Sequence, residues 1–243
     1  MQKEISARTL RMRRSIAVLI IVGVSAGAQV AWNQFAKTNP TPTSVLSDTQ
    51  VAEGPLAKDI LNTLTIKGRA PKTGYARSEF GEGWATVSGC DMRNIILKRS
   101  LTETELSTDG CVVLSGMLAD PYTGTNIEFQ RGASTSADVQ IDHVVALSDA
   151  WQKGAQSMPY EQRVEFANDP LNLLAVDGEA NQKKGDSDAA SWLPPNKGYR
   201  CSYVARQVAV KSKYSLWMTD AEQSAIERVL KGCGDIRVPF EKI

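Results

Sequence analysis

The sequence predicts an α+β fold. Three observations carry that class: short β-prone runs bounded by Gly, Pro and Asp turn residues, two amphipathic helical stretches at the end of the chain, and four cysteines able to staple the whole. With 243 residues, 42% of them hydrophobic, the chain can bury one substantial core and still carry appendages.

The elements follow in order. Lys3, Arg8, Arg11, Arg13 and Arg14 precede an apolar run, Ile16 to Val24, which ends in Ser25-Ala26-Gly27-Ala28. A basic head, a short apolar stretch and an Ala-x-Ala site read as a secretory signal peptide over residues 1–28, with an uncleaved anchor as the alternative. The run is shorter than the roughly 20 residues of a spanning helix. Residues 29–54, rich in Thr, Pro, Ser and Ala, read as an extended tether, and 55–243 as the folded domain. Leu56, Ile60, Leu61 and Leu64 have helical spacing, and turns follow at Gly68, Gly74, Gly81 and Gly83. Cys111–Leu114 and Asn126–Phe129 read as a hairpin joined through the turn Asp120-Pro121-Tyr122-Thr123-Gly124. Val139–Leu147 reads as a strand giving way to helix near Ser148-Asp149. Tyr160–Phe166 is helical until Asp169-Pro170 breaks it, and Leu171–Val176 is a second strand closed by Asp177-Gly178. A polar helix starts near Glu179. Tyr199–Lys213 and Asp220–Gly232 are amphipathic helices, the second opened by a Thr219/Glu222 capping box.

An even cysteine count behind an export signal favours two disulfides, and the spacings do not resemble paired zinc knuckles. Of three connectivities, Cys90–Cys111 with Cys201–Cys233 is preferred. Cys201 opens one C-terminal helix and Cys233 closes the next, and in an antiparallel pair of matched length those ends meet. Loss of residues 1–28, which hold five basic residues and one acidic one, takes the formal charge from +1 to −3. Such a chain does not hold polyanions by bulk charge, so nucleic-acid contact needs a local patch or metal ions. Two stretches qualify: Ile66–Arg77, with Lys67, Arg69, Lys72 and Arg77, and Lys183–Lys213, with seven basic residues. A solvated basic face is the competing reading of both.

The chemistry centres on the only histidine, His143, which directly follows Asp142. Neighbouring side chains of a strand point to opposite faces, so one site for both requires the strand to end or twist there. Asp142 offers a hard oxygen to a divalent ion and Asn181, in the first turn of the polar helix, a second. An imidazole with an ordinary pKa of about 6.5 can take a proton from water near neutrality. On that value, activity falls as the pH drops through the range 5 to 8. A backbone carbonyl or the side chain of Asn172 is expected to orient the other ring nitrogen. Lys184, on the same helix face as Asn181, is placed to meet a phosphate.

This constellation resembles the HNH (ββα-metal) endonuclease superfamily, carried by Asp142-His143, Asn172-Leu173 and Asn181-x-x-Lys184-Gly185-Asp186 within Val139–Asp188. The resemblance implies a ββα-metal nuclease core embedded in a larger helical, disulfide-stapled domain. It implies His143 as general base, Asp142 and Asn181 as metal ligands, and Asn172 as a prop for the active-site loop. A looser likeness to exported HNH-endonuclease-like proteins rests on Lys67-Gly68-Arg69-Ala70-Pro71, Gly74-Tyr75-x-Arg77, Phe80-Gly81, Cys90-Asp91-x-Arg93-Asn94, Asp120–Gly124 and Trp192-Leu193-Pro194-Pro195. Two departures stand out. The segment from His143 to Asn172 is longer than in compact members and is expected to hold an inserted helix, and zinc-bracing cysteine pairs are absent.

The expected function is therefore a secreted endonuclease cutting DNA, or alternatively RNA, with one divalent ion. Mg2+ ranks first, and Mn2+, Ca2+ and Zn2+ are the alternatives. The rivals are a non-catalytic nucleic-acid or cell-surface binding module and a phosphodiesterase for small molecules. Membrane contact is expected only through an uncleaved N-terminal segment, and no protein partner is inferred. Arg77, Arg93 and Arg131 are candidate phosphate contacts against ordinary salt bridges. Asp149 and Asp169 read as helix or turn caps. Trp84, Trp151 and Trp192 read as core.

Overall fold

A computed structural model describes residues 54–132 and 135–239. The leader and nearly all of the tether expected from the sequence lie outside them. Mixed helix and sheet make the fold α+β. Among the described residues no helix is long and apolar enough to cross a membrane.

Helix α1 (Ala57–Leu61) is followed by a 3₁₀ turn (Arg77–Phe80) and a tight hairpin of β1 (Thr86–Val87) and β2 (Cys90–Asp91). Asp91 then caps helix α2 (Met92–Ser100) by accepting from the Asn94 amide. Three antiparallel strands come next, β3 (Leu101–Leu106), β4 (Val113–Ala119) and β5 (Asn126–Gln130), with β4 central. Sequence periodicity left α2 and β3 unassigned. β3 reads Leu-Thr-Glu-Thr-Glu-Leu, with only its end residues apolar, and it takes its shape from pairing with β4.

The part that carries the candidate site residues Asp142 and His143 is a second, two-stranded sheet. β6 (Val139–His143) pairs antiparallel with β7 (Leu173–Asp177), with Asp142 opposite Leu174 and His143 opposite Leu173. Both faces are covered. Val139, Ile141, Leu173 and Ala175 join one core cluster with α2 and the three-stranded sheet, while Val176 joins a larger, mostly helical cluster. Asp177 caps the helix that follows, α5 (Gly178–Lys184), by accepting from the Ala180 amide. Glycine is required at 178, where any side chain would run into the Ala137 carbonyl oxygen.

Between the two strands lies the expected insertion: α3 (Leu147–Trp151), a 3₁₀ turn (Ala155–Ser157) and α4 (Tyr160–Asn168). β6 is shorter than the sequence reading, because after His143 the backbone turns to bond Asn172. The C-terminal pair, α6 (Arg200–Lys213) and α7 (Asp220–Leu230), packs against α1. The structure contains both disulfides, Cys90–Cys111 and Cys201–Cys233. Asp149 is no cap. With Asp188 and Glu222 it surrounds the buried ammonium of Lys153 at 2.6–2.8 Å, and Arg69 and Lys211 complete the network. Asp169 does act locally, accepting from the Leu171 amide, and also receives Lys213 and Tyr214.

Candidate active site

His143 is the last residue of β6 and is 7% exposed. Its Nε2 lies 2.8 Å from the carbonyl oxygen of Ala167, in the last turn of α4. A carbonyl only accepts, so Nε2 carries the proton and Nδ1 keeps a free lone pair. The insertion thus supplies the carbonyl that fixes the tautomer. One face of the imidazole is stacked by Trp84, with centroids 5.8 Å apart and planes 8° from parallel. Burial, only partly opposed by the Ala167 hydrogen bond and the nearby Asp142, lowers the His143 pKa to about 4. The ring is therefore neutral from pH 5 to 8, which corrects the sequence expectation of an acid limb in that range.

Asp142 points to the opposite side of β6, where its two oxygens are held separately. Lys184 Nζ donates to Oδ1 at 2.9 Å and the Tyr122 hydroxyl donates to Oδ2 at 2.5 Å. Burial first, and then the charge of Asp142, hold the Tyr122 pKa well above the usual phenol value, so it remains a donor. A carboxylate offers about four lone-pair positions, and two remain open. Lys184 is 1% exposed and also donates to the His143 carbonyl at 2.9 Å. It is enclosed beneath the site rather than presented to a phosphate. Asn181 donates its amide to Gln140 Oε1 at 2.9 Å, and among the described residues none donates to its carbonyl oxygen. Asn172, fully buried, accepts from Val145 N at 2.8 Å and donates to Val145 O at 3.2 Å. It pins the loop leaving β6, and its side-chain hydrogen bonds go to Val145 and not to His143.

Asp142, His143 and Asn181 line one cavity of about 350 Å3, together with Tyr75, Arg77 and Asp186. Gln140 and Ile141 line it as well, so residues of both parities at this end of β6 reach a single space. Arg77 is exposed at this cavity. Arg93 and Arg131 are not part of it: Arg93 bonds the carbonyls of Ser136 and Val139, and Arg131 bonds Val113 O and Asn94. The two basic stretches are only partly spent in internal ion pairs, and Lys67, Lys72, Arg77, Lys183, Lys197 and Lys213 stay exposed. Arg69 joins the buried network, Lys72 pairs with Asp186 at 3.1 Å, and Lys211 is fully buried. Lys72 and Ser148, donating to Asp186, hold its carboxyl below the usual range.

Tyr122, Trp84 and the Ala167 carbonyl were not legible as site residues. Tyr122 sits inside an evident turn motif, the one signal that could have singled it out. Trp84 and Ala167 belong to segments remote in sequence from the Asp-His pair.

Among the described residues no group of three or more His, Cys, Asp or Glu could hold a metal ion. The cavity instead offers one carboxylate with open lone pairs and one unpartnered amide oxygen. That donor set suits an Mg2+ ion, which uses one or two protein oxygens and leaves its other positions to water and phosphate. It does not suit a structural zinc, which needs four N or S ligands.

Residues 91–229 match the family described as GmrSD restriction endonucleases, C-terminal domain. An uncharacterized secreted protein of Arthroderma benhamiae is 39% identical over 197 residues, covering 79% of this chain and 92% of that protein. No solved structure matches.

Proposed function

The chain belongs to the family of GmrSD restriction endonuclease C-terminal domains, and from that premise we propose that it is an exported, metal-dependent endonuclease of the HNH type that hydrolyses phosphodiester bonds of DNA. The observation that carries this reading is that His143, its Nε2 2.8 Å from the Ala167 carbonyl oxygen, lines one cavity with Asp142 and Asn181.

In the proposed reaction, His143 Nδ1 takes a proton from a water molecule. The resulting hydroxide adds to phosphorus and the bridging oxygen leaves. The Ala167 carbonyl stabilises the imidazolium through its bond to Nε2–H. Asp142 and Asn181 would hold the divalent ion, Mg2+ in the first instance. When bound, the ion supplies Lewis-acid polarisation of the scissile phosphate and stabilisation of the leaving oxygen. Lys184 and Tyr122 keep Asp142 in one orientation, a role that replaces the phosphate contact expected for Lys184. Arg77, exposed at the cavity, is positioned to meet a neighbouring phosphate.

Export is supported by the two disulfides and by the secreted relative. Incubating the purified protein with supercoiled plasmid, with Mg2+ or with a chelator, tests the proposal. Nicking and linearisation that need the ion support it. A shift of plasmid mobility without cutting identifies a binding module instead, and faster turnover of a small chromogenic diester than of plasmid identifies a small-molecule enzyme.

A further inference from the structure

We infer that Trp84 is a positioning residue for His143, and that the last turn of α4 holds the imidazole and the indole together as one clamp. The inference rests on the nuclease reading only for its catalytic consequence.

The argument begins with the freedom of the histidine ring. The terminal torsion of histidine is broad and roughly two-fold, so one hydrogen bond at Nε2 fixes an edge while the plane can still swing about it. A second constraint is needed to aim Nδ1. The Trp84 indole supplies it by lying within 8° of parallel to the imidazole, in the offset arrangement that stacked rings prefer.

The indole is itself held on several sides. Trp84 packs against the core cluster shared by α2 and the inner face of β6–β7. The next residue, Ala85, donates its amide to Asn168 Oδ1 at 2.7 Å and accepts from the Met92 amide at 2.8 Å. Asn168 is buried and its amide returns to Val164 O at 3.0 Å, which fixes the acceptor on α4. Asn168 directly follows Ala167, whose carbonyl holds His143 Nε2. Two consecutive residues of one helix end thus set both the edge and the face of the ring. α4 is anchored in turn by Arg163, which donates to the Glu79 carbonyl at 2.7 Å and pairs with its carboxylate at 2.8 Å. An ordinary core tryptophan would be enclosed, whereas Trp84 is only half-buried and covers the chain's one imidazole.

A lone histidine makes the test direct, because the protein gives a single set of imidazole signals by NMR. The expected result is an upfield ring-current shift of the His143 ring protons that is lost in Trp84→Leu and partly kept in Trp84→Phe. In plasmid cleavage, Trp84→Leu should lower kcat by about 10–100-fold with KM nearly unchanged, the size of effect that misplacing a reacting group produces. Trp84→Phe should recover most of the rate. Should Trp84→Leu fail to fold, Trp84→Phe and Asn168→Ala carry the same comparison through the imidazole signals.

Imidazole signals that do not respond to removal of the indole overturn the inference. So does a folded Trp84→Leu protein with wild-type kcat, or one in which KM alone rises, since that would make Trp84 a substrate platform. A wild-type protein that cuts no polynucleotide sinks the nuclease reading, while the imidazole signals still decide whether the clamp exists.

Discussion

His143 stays neutral across the physiological range because burial outweighs the groups that favour its charge. The acid limb of activity is accordingly expected near pH 4, with a flat profile from 5 to 8 as far as this residue is concerned; a limb centred near 6.5 would contradict the buried geometry. Stability should respond in the same direction. The folded pKa of about 4 lies below the unfolded value near 6.5, so the unfolded chain binds a proton first as the pH falls. This contribution is complete above pH 6.5 and is lost progressively down to about 4, roughly 3 kcal/mol in all. Melting curves of the wild type and His143→Ala at pH 7 and 5 measure it, and the wild type should lose more. Tyr122 acts beside it. Tyr122→Phe keeps the ring among Trp192, Tyr199 and Tyr203 but leaves Asp142 Oδ2 without a donor. Affinity for Mg2+ or Mn2+, read by calorimetry, should fall about 10–100-fold with the fold intact; unchanged affinity would remove Tyr122 from the site. Asp142, His143, Asn172 and Asn181 were legible because their residue types and order restrict the chemistry. Lys184 was legible as a member of the site but not in its placement. Whether a lysine faces water or a buried carboxylate is decided by packing that its own helix does not show.

At the scale of elements, the frame of β6, β7 and α5 was readable from the alternating apolar run, the Asp177-Gly178 turn and the polar helix after it. Its limits were not. β6 stops at His143 because Asn172 captures Val145, a contact between residues 27 apart. Arg, Asn and Lys interrupt the apolar positions of α2, and the centre of β3 alternates Thr and Glu, so neither element shows a clean period in the sequence. The insertion was expected, but its contact with His143, a backbone carbonyl, has no side-chain signature in any sequence. Elements are locked to one another by charge as well as by apolar contact. Lys153, just beyond α3, is fully buried with Asp149, Asp188 and Glu222 at 2.6–2.8 Å, joining α3, the segment after α5 and α7. Burial opposes its charge, and Asp149 and Glu222 outweigh burial and raise its pKa. Lys153→Met leaves those carboxylates short of a cation and should cost roughly 3–5 kcal/mol in denaturant unfolding. A loss below about 1 kcal/mol would mean the network is hydrated and of little weight.

The molecule as a whole combines a formal charge of +1 with a few buried cations committed to internal partners. Arg69, Lys184 and Lys211, from the two basic stretches, and Lys153 lie in ion pairs with carboxylates, while Lys67, Lys72, Arg77, Lys183, Lys197 and Lys213 remain exposed. The competing reading, a solvated basic face, fits those exposed residues and fails for the buried Lys184 and Lys211. Of the exposed basic residues, Arg77 is the one that lines the cavity with Asp142 and His143. Stability has a further source in the Cys201–Cys233 bond, which closes 32 residues across the C-terminal helix pair and by loop entropy contributes about 3–4 kcal/mol. That share suits a chain made for an oxidising compartment. The whole account turns on one imidazole with no second histidine to replace it. Its most direct test is the rate of Mg2+-dependent plasmid cleavage by folded His143→Ala beside the wild type. The account predicts a loss of about 10²–10⁴-fold with the fold retained, and cleavage by the folded variant at the wild-type rate would contradict it.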